Sequence, residues 1–238
     1  MKTKQKIFFS YAWADNSDAM DSRETIVDNL YSSLIDSYEL IRDKNNLEYK
    51  GFISDFMKEI GTGDIVIVVI SKKYLLSDFC MFELYEIARN SNFDKGKFRD
   101  KIFPIMYEFI NFTKPQIIEE YLSYWEKSFT EWDILVKNRS ANLSSGQLIR
   151  YDRIKMIYQN FGKLVEWIID MNTSSIEILS MDNFKKIKDA IHNRMKLLEN
   201  NLVSINGSEL EGNKSNLDND VNGNKIYNIN YIDRAEFN

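Results

Sequence analysis

The sequence predicts an α/β fold of the flavodoxin-like kind, in which an open, doubly wound parallel sheet carries helices on both faces. Two observations support this class. Strand and helix patterns alternate along residues 6–107, which is typical of a parallel sheet with right-handed crossovers. In addition, residues 64–71 (DIVIVVIS) form an apolar, largely β-branched run, as expected of a central strand covered on both faces.

The first elements follow from local patterns. Residues 6–12 (KIFFSYA) predict the first strand, and apolar residues at three- and four-residue spacing between positions 26 and 35 predict an amphipathic helix. Residues 38–43 (YELIRD) predict a short second strand, followed by a polar loop. Apolar residues between positions 52 and 60 predict a second helix that ends at Gly61 and Gly63.

The later elements are predicted in the same way. A helix at residues 77–90 begins at Ser77 as N-cap, and residues 101–107 (KIFPIMY) form a strand that Pro104 makes irregular or places near an edge. The aromatic-rich residues 112–170 predict two or three helices, with a possible strand at 131–137 (EWDILVK). Residues 176–180 (IEILS) predict the last strand, and residues 181–200 a closing helix.

A change in composition near residue 200 predicts the domain organisation. Residues 1–199 form the main domain, and the Asn-, Gly-, Ser- and Asp-rich residues 200–223 form a flexible linker. Residues 224–238 (NKIYNINYIDRAEFN) regain apolar alternation. This segment is either a docking or self-association peptide that adds a strand to a partner's sheet, or a disordered terminus.

The composition of the chain disfavours several classes of function. The chain has 238 residues and a net charge of −5, which disfavours general binding to nucleic acid or anionic membranes. The sole cysteine, Cys80, is predicted to be a small buried apolar residue. A single cysteine allows no disulfide within the chain, which fits a reducing cytosol. The sequence has neither a secretory signal nor a membrane-spanning run, so a cytoplasmic location is expected. With one histidine, His192, catalytic triads and metal sites are disfavoured.

The fold itself predicts where a ligand binds. In a flavodoxin-like sheet the ligand lies beyond the carboxyl ends of the first and third strands, where the strand order reverses. Glu83 lies in the helix that follows the third strand, and Phe79 is four residues earlier on the same helical face. A carboxylate beside an aromatic ring suits a flat cationic ring attached to a sugar. The strand ends add further candidates to this crevice: Ser10, Tyr11, Trp13, Asp15 and Ser71.

Each candidate has a purely structural alternative. Phe79 could pack in the core, and Ser10 and Ser71 could simply end strands and cap turns. Glu86, the nearest rival carboxylate, points about 60° away from Glu83, taking 100° per residue, and reads as a surface residue.

Three segments together resemble a bacterial TIR domain. IFFSYAWAD is similar to the first-strand box of that family, DKNNLEYKG to its BB loop, and VIVVISKKYLLSDFCMFEL to its third box. The resemblance extends over residues 5–197 and implies the TIR version of the flavodoxin-like fold. It also implies cleavage of NAD+ at the nicotinamide–ribose bond, with Glu83 at the position of the essential glutamate. Phe79 stands where the family usually has tryptophan.

The same resemblance implies further contacts. Asp43, Lys44 and Tyr49 in the BB-like loop would contact the nucleotide or a neighbouring TIR protomer, although a plain solvated loop is an equal reading. One carboxylate suffices for the reaction because nicotinamide is already cationic in NAD+ and leaves as a neutral molecule, whereas glycosidases normally need two. NAD+ is the substrate, no cofactor is expected, and the sequence has no GxGxxG fingerprint.

Two classes of function remain open from the sequence. The favoured one is an NAD+ glycohydrolase in bacterial antiviral defence, activated by oligomerisation and producing nicotinamide with ADP-ribose or a cyclic isomer. The alternative is a non-catalytic scaffold that acts by homotypic TIR–TIR assembly. A glutamate-dependent enzyme such as a nucleoside deoxyribosyltransferase is a weaker reading. A separate sensor or effector protein is a further expected partner, reached through residues 224–238.

Overall fold

The computed structural model describes residues 6–13, 22–42 and 53–212. Its centre is a five-stranded parallel sheet with the order β2-β1-β3-β4-β5. The strands are β1 (Lys6–Tyr11), β2 (Glu39–Arg42), β3 (Val66–Ile70), β4 (Ile102–Met106) and β5 (Ser174–Ser175). The predicted flavodoxin-like fold is confirmed, and the strand order reverses between β1 and β3 as the sequence predicts.

Helices cover this sheet and continue beyond it. Their bounds are α1 (Ser22–Leu34), α2 (Ile53–Thr62), α3 (Lys72–Leu76), α4 (Asp78–Asn90), α5 (Lys95–Lys101), α6 (Pro115–Arg139), α7 (Ser145–Ile169), α8 (Ile176–Met181) and α9 (Lys185–Gly212), with a 3₁₀ turn at Ser140–Asn142. Within the part of the chain described, no helix combines the length and apolarity needed to cross a membrane.

Burial follows the predicted patterns in the sheet. All five residues of β3 are buried, which agrees with its continuous apolar sequence. Phe8 and Ala12, on one face of β1, share a core cluster with residues of α2, α4 and α7. Phe9 lies on the other face, where its ring is 6.0 Å from that of Tyr31 in α1. Helix α4 contacts α2, α7 and the central strand β1.

Two predicted strands are wrong. Residues 131–137 belong to α6, and residues 176–180 belong to α8. A short apolar run inside an amphipathic helix has no pattern that separates it from a strand, which explains the first error. The actual last strand, Ser174–Ser175, pairs only with Ile105 and Met106 and is too short to show alternation. Among the described residues, Pro104 therefore has no paired strand residue on that side, which fits its predicted position near the edge.

Gly61 in α2 serves close packing rather than helix termination. Gly61 lies inside α2, which ends at Thr62, and none of the described glycines has a positive φ. A Cβ atom added to Gly61 would lie 2.7 Å from Nδ2 of Asn90 and 2.9 Å from Cβ of Glu86. The missing side chain lets α2 approach α4. Of the two glycines predicted to end this helix, Gly61 lies inside it and Gly63 directly follows its last residue, Thr62.

Contacts between Cα atoms divide the chain into two units, residues 1–194 and residues 195–238. Helix α9 runs to Gly212, beyond residue 200, where the composition predicts the start of a linker. Residues 224–238, predicted to be a docking segment, lie outside the described residues.

Candidate functional site

Glu83 points into the protein, towards the carboxyl half of β1. Its side chain is 4% exposed, and Oε2 accepts a hydrogen bond of 2.6 Å from the Ser10 hydroxyl, which is fully buried. The direction follows from the local sequence of α4. Ser77 caps this helix by accepting from the Cys80 amide, and the helical spacing from there turns Glu83 towards the sheet.

Tyr74 extends this arrangement by one more hydroxyl. It lies in α3, is fully buried, and its phenol oxygen is 2.9 Å from Oγ of Ser10. A serine hydroxyl carries one proton, which Ser10 donates to the Glu83 carboxylate, so Tyr74 must be the donor to Ser10. Burial raises the pKa of the Tyr74 phenol well above its usual value, so the phenol keeps this proton.

Helix α3 is held at both ends, and this fixes Tyr74. At the start, the Ser71 hydroxyl accepts a hydrogen bond of 3.1 Å from the Tyr74 amide. At the end, the indole Nε1 of Trp125 donates to the Leu75 carbonyl at 3.0 Å, and the Tyr124 hydroxyl donates to the next carbonyl, also at 3.0 Å. Ser71 therefore caps α3 and restrains Tyr74. The capping role is one of the two that the sequence left open for Ser71.

Phe79 lies at the outer edge of α4. Its side chain is 40% exposed, and the Arg153 guanidinium from α7 sits over the ring, 4.6 Å from its centroid. Asp78, in the same turn, accepts from Arg150 at 3.0 Å and lies 3.4 Å from Nη2 of Arg153. The ring and the Glu83 carboxylate thus lie one helical turn apart but in different surroundings, one at the surface and one inside.

The structure also places two other candidates, Tyr11 and Trp13. Tyr11 follows Ser10 in β1, so its side chain points to the opposite face of the sheet from Ser10. Trp13 lies just beyond the end of β1 and is 46% exposed. The remaining predicted site residues lie outside the described residues: Asp15, Asp43, Lys44 and Tyr49.

Sequence reasoning missed two features. Tyr74 lies in a polar segment (KKYLLS) that shows no strand or helix period, although the Ser71-x-x-Tyr74 spacing is that of an N-cap and its bonded amide. Glu86 was expected at the surface but is 3% exposed and forms an ion pair with Arg89. The prediction for Cys80, a small buried residue, is confirmed. No group of three or more metal-ligating side chains occurs within residues 6–13, 22–42 and 53–212.

Comparison with known proteins identifies the class of protein. The family model described as TIR domain matches residues 7–136, more than half of the chain, and the protein therefore belongs to the TIR domain family. The family resemblance seen in the sequence is confirmed.

The chain is similar to one curated protein and to one solved structure. The TMV resistance protein N of Nicotiana glutinosa is 24% identical over 201 residues, which is 81% of this chain but 17% of that protein. This chain thus spans a small part of that relative. The TIR domains of the activated Roq1 resistosome, which directly recognises the pathogen effector XopQ, share 21% identity with a TM-score of 0.42, over 82% of this chain and 98% of that one.

Proposed function

We propose that this protein cleaves NAD+ at the nicotinamide–ribose bond and that Glu83 is the catalytic carboxylate. The observation that carries the proposal is the position of Glu83. Its carboxylate is buried and fixed by Ser10 in the carboxyl half of β1, beside the point where the strand order reverses. Ligands of doubly wound sheets bind at that point. Membership of the TIR family adds support, because the family resemblance implies this reaction and this glutamate.

The chemistry needs only one carboxylate. As the bond between the ribose C1′ and the nicotinamide nitrogen breaks, its electron pair neutralises the pyridinium ring, so the leaving group needs no proton. Positive charge develops on the ribose, and a carboxylate held beside it stabilises this transition state. Water then attacks C1′ and loses a proton to give ADP-ribose, or a nucleophile of the same molecule attacks and gives a cyclic isomer.

Self-association is part of the proposal. We expect the active form to be an oligomer in which the BB-like loop of one protomer contacts the next, and the protein to act in immune signalling against phage by depleting NAD+ or producing a signal. Similarity to a resistance protein supports a role in immunity. A separate sensor or effector protein would bind through residues 224–238.

One experiment tests the reaction. The full chain is incubated with NAD+, with and without a crowding agent that promotes assembly, and the products are identified by mass spectrometry. We expect nicotinamide together with ADP-ribose or a cyclic isomer, and a loss of at least about a hundredfold in Glu83→Gln. Glu86→Gln is the matched control, because it changes a second buried carboxylate in the same helix.

The scaffold alternative gives a different result. If the assembled protein leaves NAD+ intact and Glu83→Gln behaves as the wild type, the enzymatic function is rejected. Self-association measured by light scattering under the same conditions would then favour a TIR module that acts by assembly alone.

A further inference from the structure

We infer that Ser10 and Tyr74 are positioning residues, which hold the Glu83 carboxylate in its reactive orientation through the Tyr74–Ser10–Glu83 network. This inference rests on the proposed function, because it concerns the same carboxylate. Its three members come from three elements, namely α3, β1 and α4, and are joined by contacts of 2.9 Å and 2.6 Å.

The direction of the hydrogen bonds is fixed by the number of protons. Ser10 has one proton and gives it to Glu83, so it can only accept from Tyr74. Donation by Tyr74 polarises the Ser10 hydroxyl and strengthens the bond to the carboxylate. Ser10 and Tyr74 are both fully buried, so water does not compete for either hydroxyl.

The network joins a flexible side chain to rigid elements. A glutamate side chain has three rotatable bonds, and a hydrogen bond to its terminal oxygen restricts all of them. Ser10 lies in β1, which pairs with β2 on one side and β3 on the other, and its register partner is Val68. Donors on such a strand hold a carboxylate more accurately than donors on a loop, and misplacement by about 1 Å can cost about a hundredfold in rate.

Tyr74 is itself restrained before it reaches Ser10. Its amide is bound by Ser71, and the carbonyl of the following residue, Leu75, accepts from Trp125 of α6. The position of the Tyr74 phenol therefore depends on backbone hydrogen bonds to Ser71 on one side and to Trp125 on the other. Neither Tyr74 nor Ser10 needs to touch the substrate to affect the reaction, which is why we assign them a positioning role and not a catalytic one.

The test is a double-mutant cycle on turnover of NAD+ by the full chain under assembling conditions. Ser10→Ala removes the donor to the carboxylate, and we expect kcat to fall by about 10- to 100-fold with KM nearly unchanged. Tyr74→Phe removes one oxygen only, and we expect kcat to fall about threefold. In the double variant the second change should add nothing to the first, because Tyr74 acts through Ser10.

Two control variants make the same chemical changes elsewhere. Ser91→Ala removes a buried hydroxyl that donates to the Ile87 carbonyl at the far end of α4, and Tyr121→Phe removes the phenol oxygen of a buried tyrosine in α6. We expect both to keep the kcat of the wild type. Near-UV circular dichroism and the melting temperature are measured for every variant. They ensure that kcat values are compared only between folded proteins.

The outcomes separate the two proposals. If the wild type turns over NAD+ and Glu83→Gln does not, while Ser10→Ala and Tyr74→Phe retain full kcat, the positioning role is overturned and the enzymatic function stands. Additive effects of the two changes, or effects on KM alone, also overturn it. If the wild type does not cleave NAD+ in any assembled form, both the function and the positioning role are rejected.

Discussion

Two consecutive turns of α4 carry buried carboxylates with almost the same exposure, 4% for Glu83 and 3% for Glu86, yet their surroundings differ. Glu83 accepts from a neutral hydroxyl on the central sheet. Glu86 pairs with Arg89, a cation on its own helix whose side chain is 54% exposed. The ion-pair partner of Glu86 is three residues away in the same helix, whereas the hydroxyl bound to Glu83 comes from a strand 73 residues away in the chain. Burial alone therefore does not distinguish the two carboxylates, whereas the element that supplies the bound group does.

The largest expected effect comes from shortening the Glu83 side chain by one methylene, and the same change at Glu86 is its control. Glu83→Asp keeps the charge but moves the carboxylate out of hydrogen-bonding distance of Ser10. We therefore expect the rate of NAD+ cleavage to fall by about a hundredfold. Glu86→Asp should leave the rate per folded molecule unchanged. Steady-state kinetics on both variants check this difference, and equal losses would show that the two turns do not differ in function.

The next effect concerns the packing beside the Glu86 turn. In Gly61→Ala the new methyl group would overlap Asn90 and Glu86, and we expect unfolding to become easier by about 2 kcal/mol despite the higher helix propensity of alanine.

The matched control is Gly162→Ala in α7, where an added Cβ meets nothing within 4 Å. There, alanine should stabilise the protein by about 0.5–1 kcal/mol. Urea unfolding of both variants provides the measurement, and effects of the same sign would contradict a close contact between α2 and α4.

A smaller effect is expected from the ion pair of Glu86. Glu86→Gln leaves an amide in place of a charged partner of Arg89, and because that arginine is more than half exposed, we expect a loss of only about 1 kcal/mol in stability. NAD+ cleavage should be unaffected. Thermal unfolding of Glu86→Gln, Arg89→Gln and the double variant isolates the pair, and an additive cycle would argue against the interaction.

The smallest effect tests the ring at the start of α4. Phe79→Leu keeps apolar bulk but removes the aromatic face, and if the exposed part of that ring contacts nicotinamide, KM should rise by about fivefold with little change in kcat. An unchanged KM with a lower melting temperature would instead identify Phe79 as an anchor for Arg153 only.

The helical half of the site was harder to predict than the strands. Alternation and β-branched runs place β1, β2 and β3 because a strand that is buried on both faces has a distinctive composition. Tyr74 gave no such signal, since α3 has five residues and owes its position to contacts with α6. Likewise, the i, i+4 spacing of Phe79 and Glu83 predicts a shared face but not that α7 would bring Arg153 over the ring.

The sequence by itself determined the fold class through its alternating strand and helix patterns and the family through its short motifs, and these motifs made Glu83 the leading candidate. Only the tertiary structure decided that Glu83 is held by Ser10 and Tyr74, that Glu86 is buried, and that Tyr11 points away. The physical reason is that these outcomes depend on which elements pack against α4 and at what distance. Contacts between residues far apart in the chain leave no periodic trace in the order of amino acids.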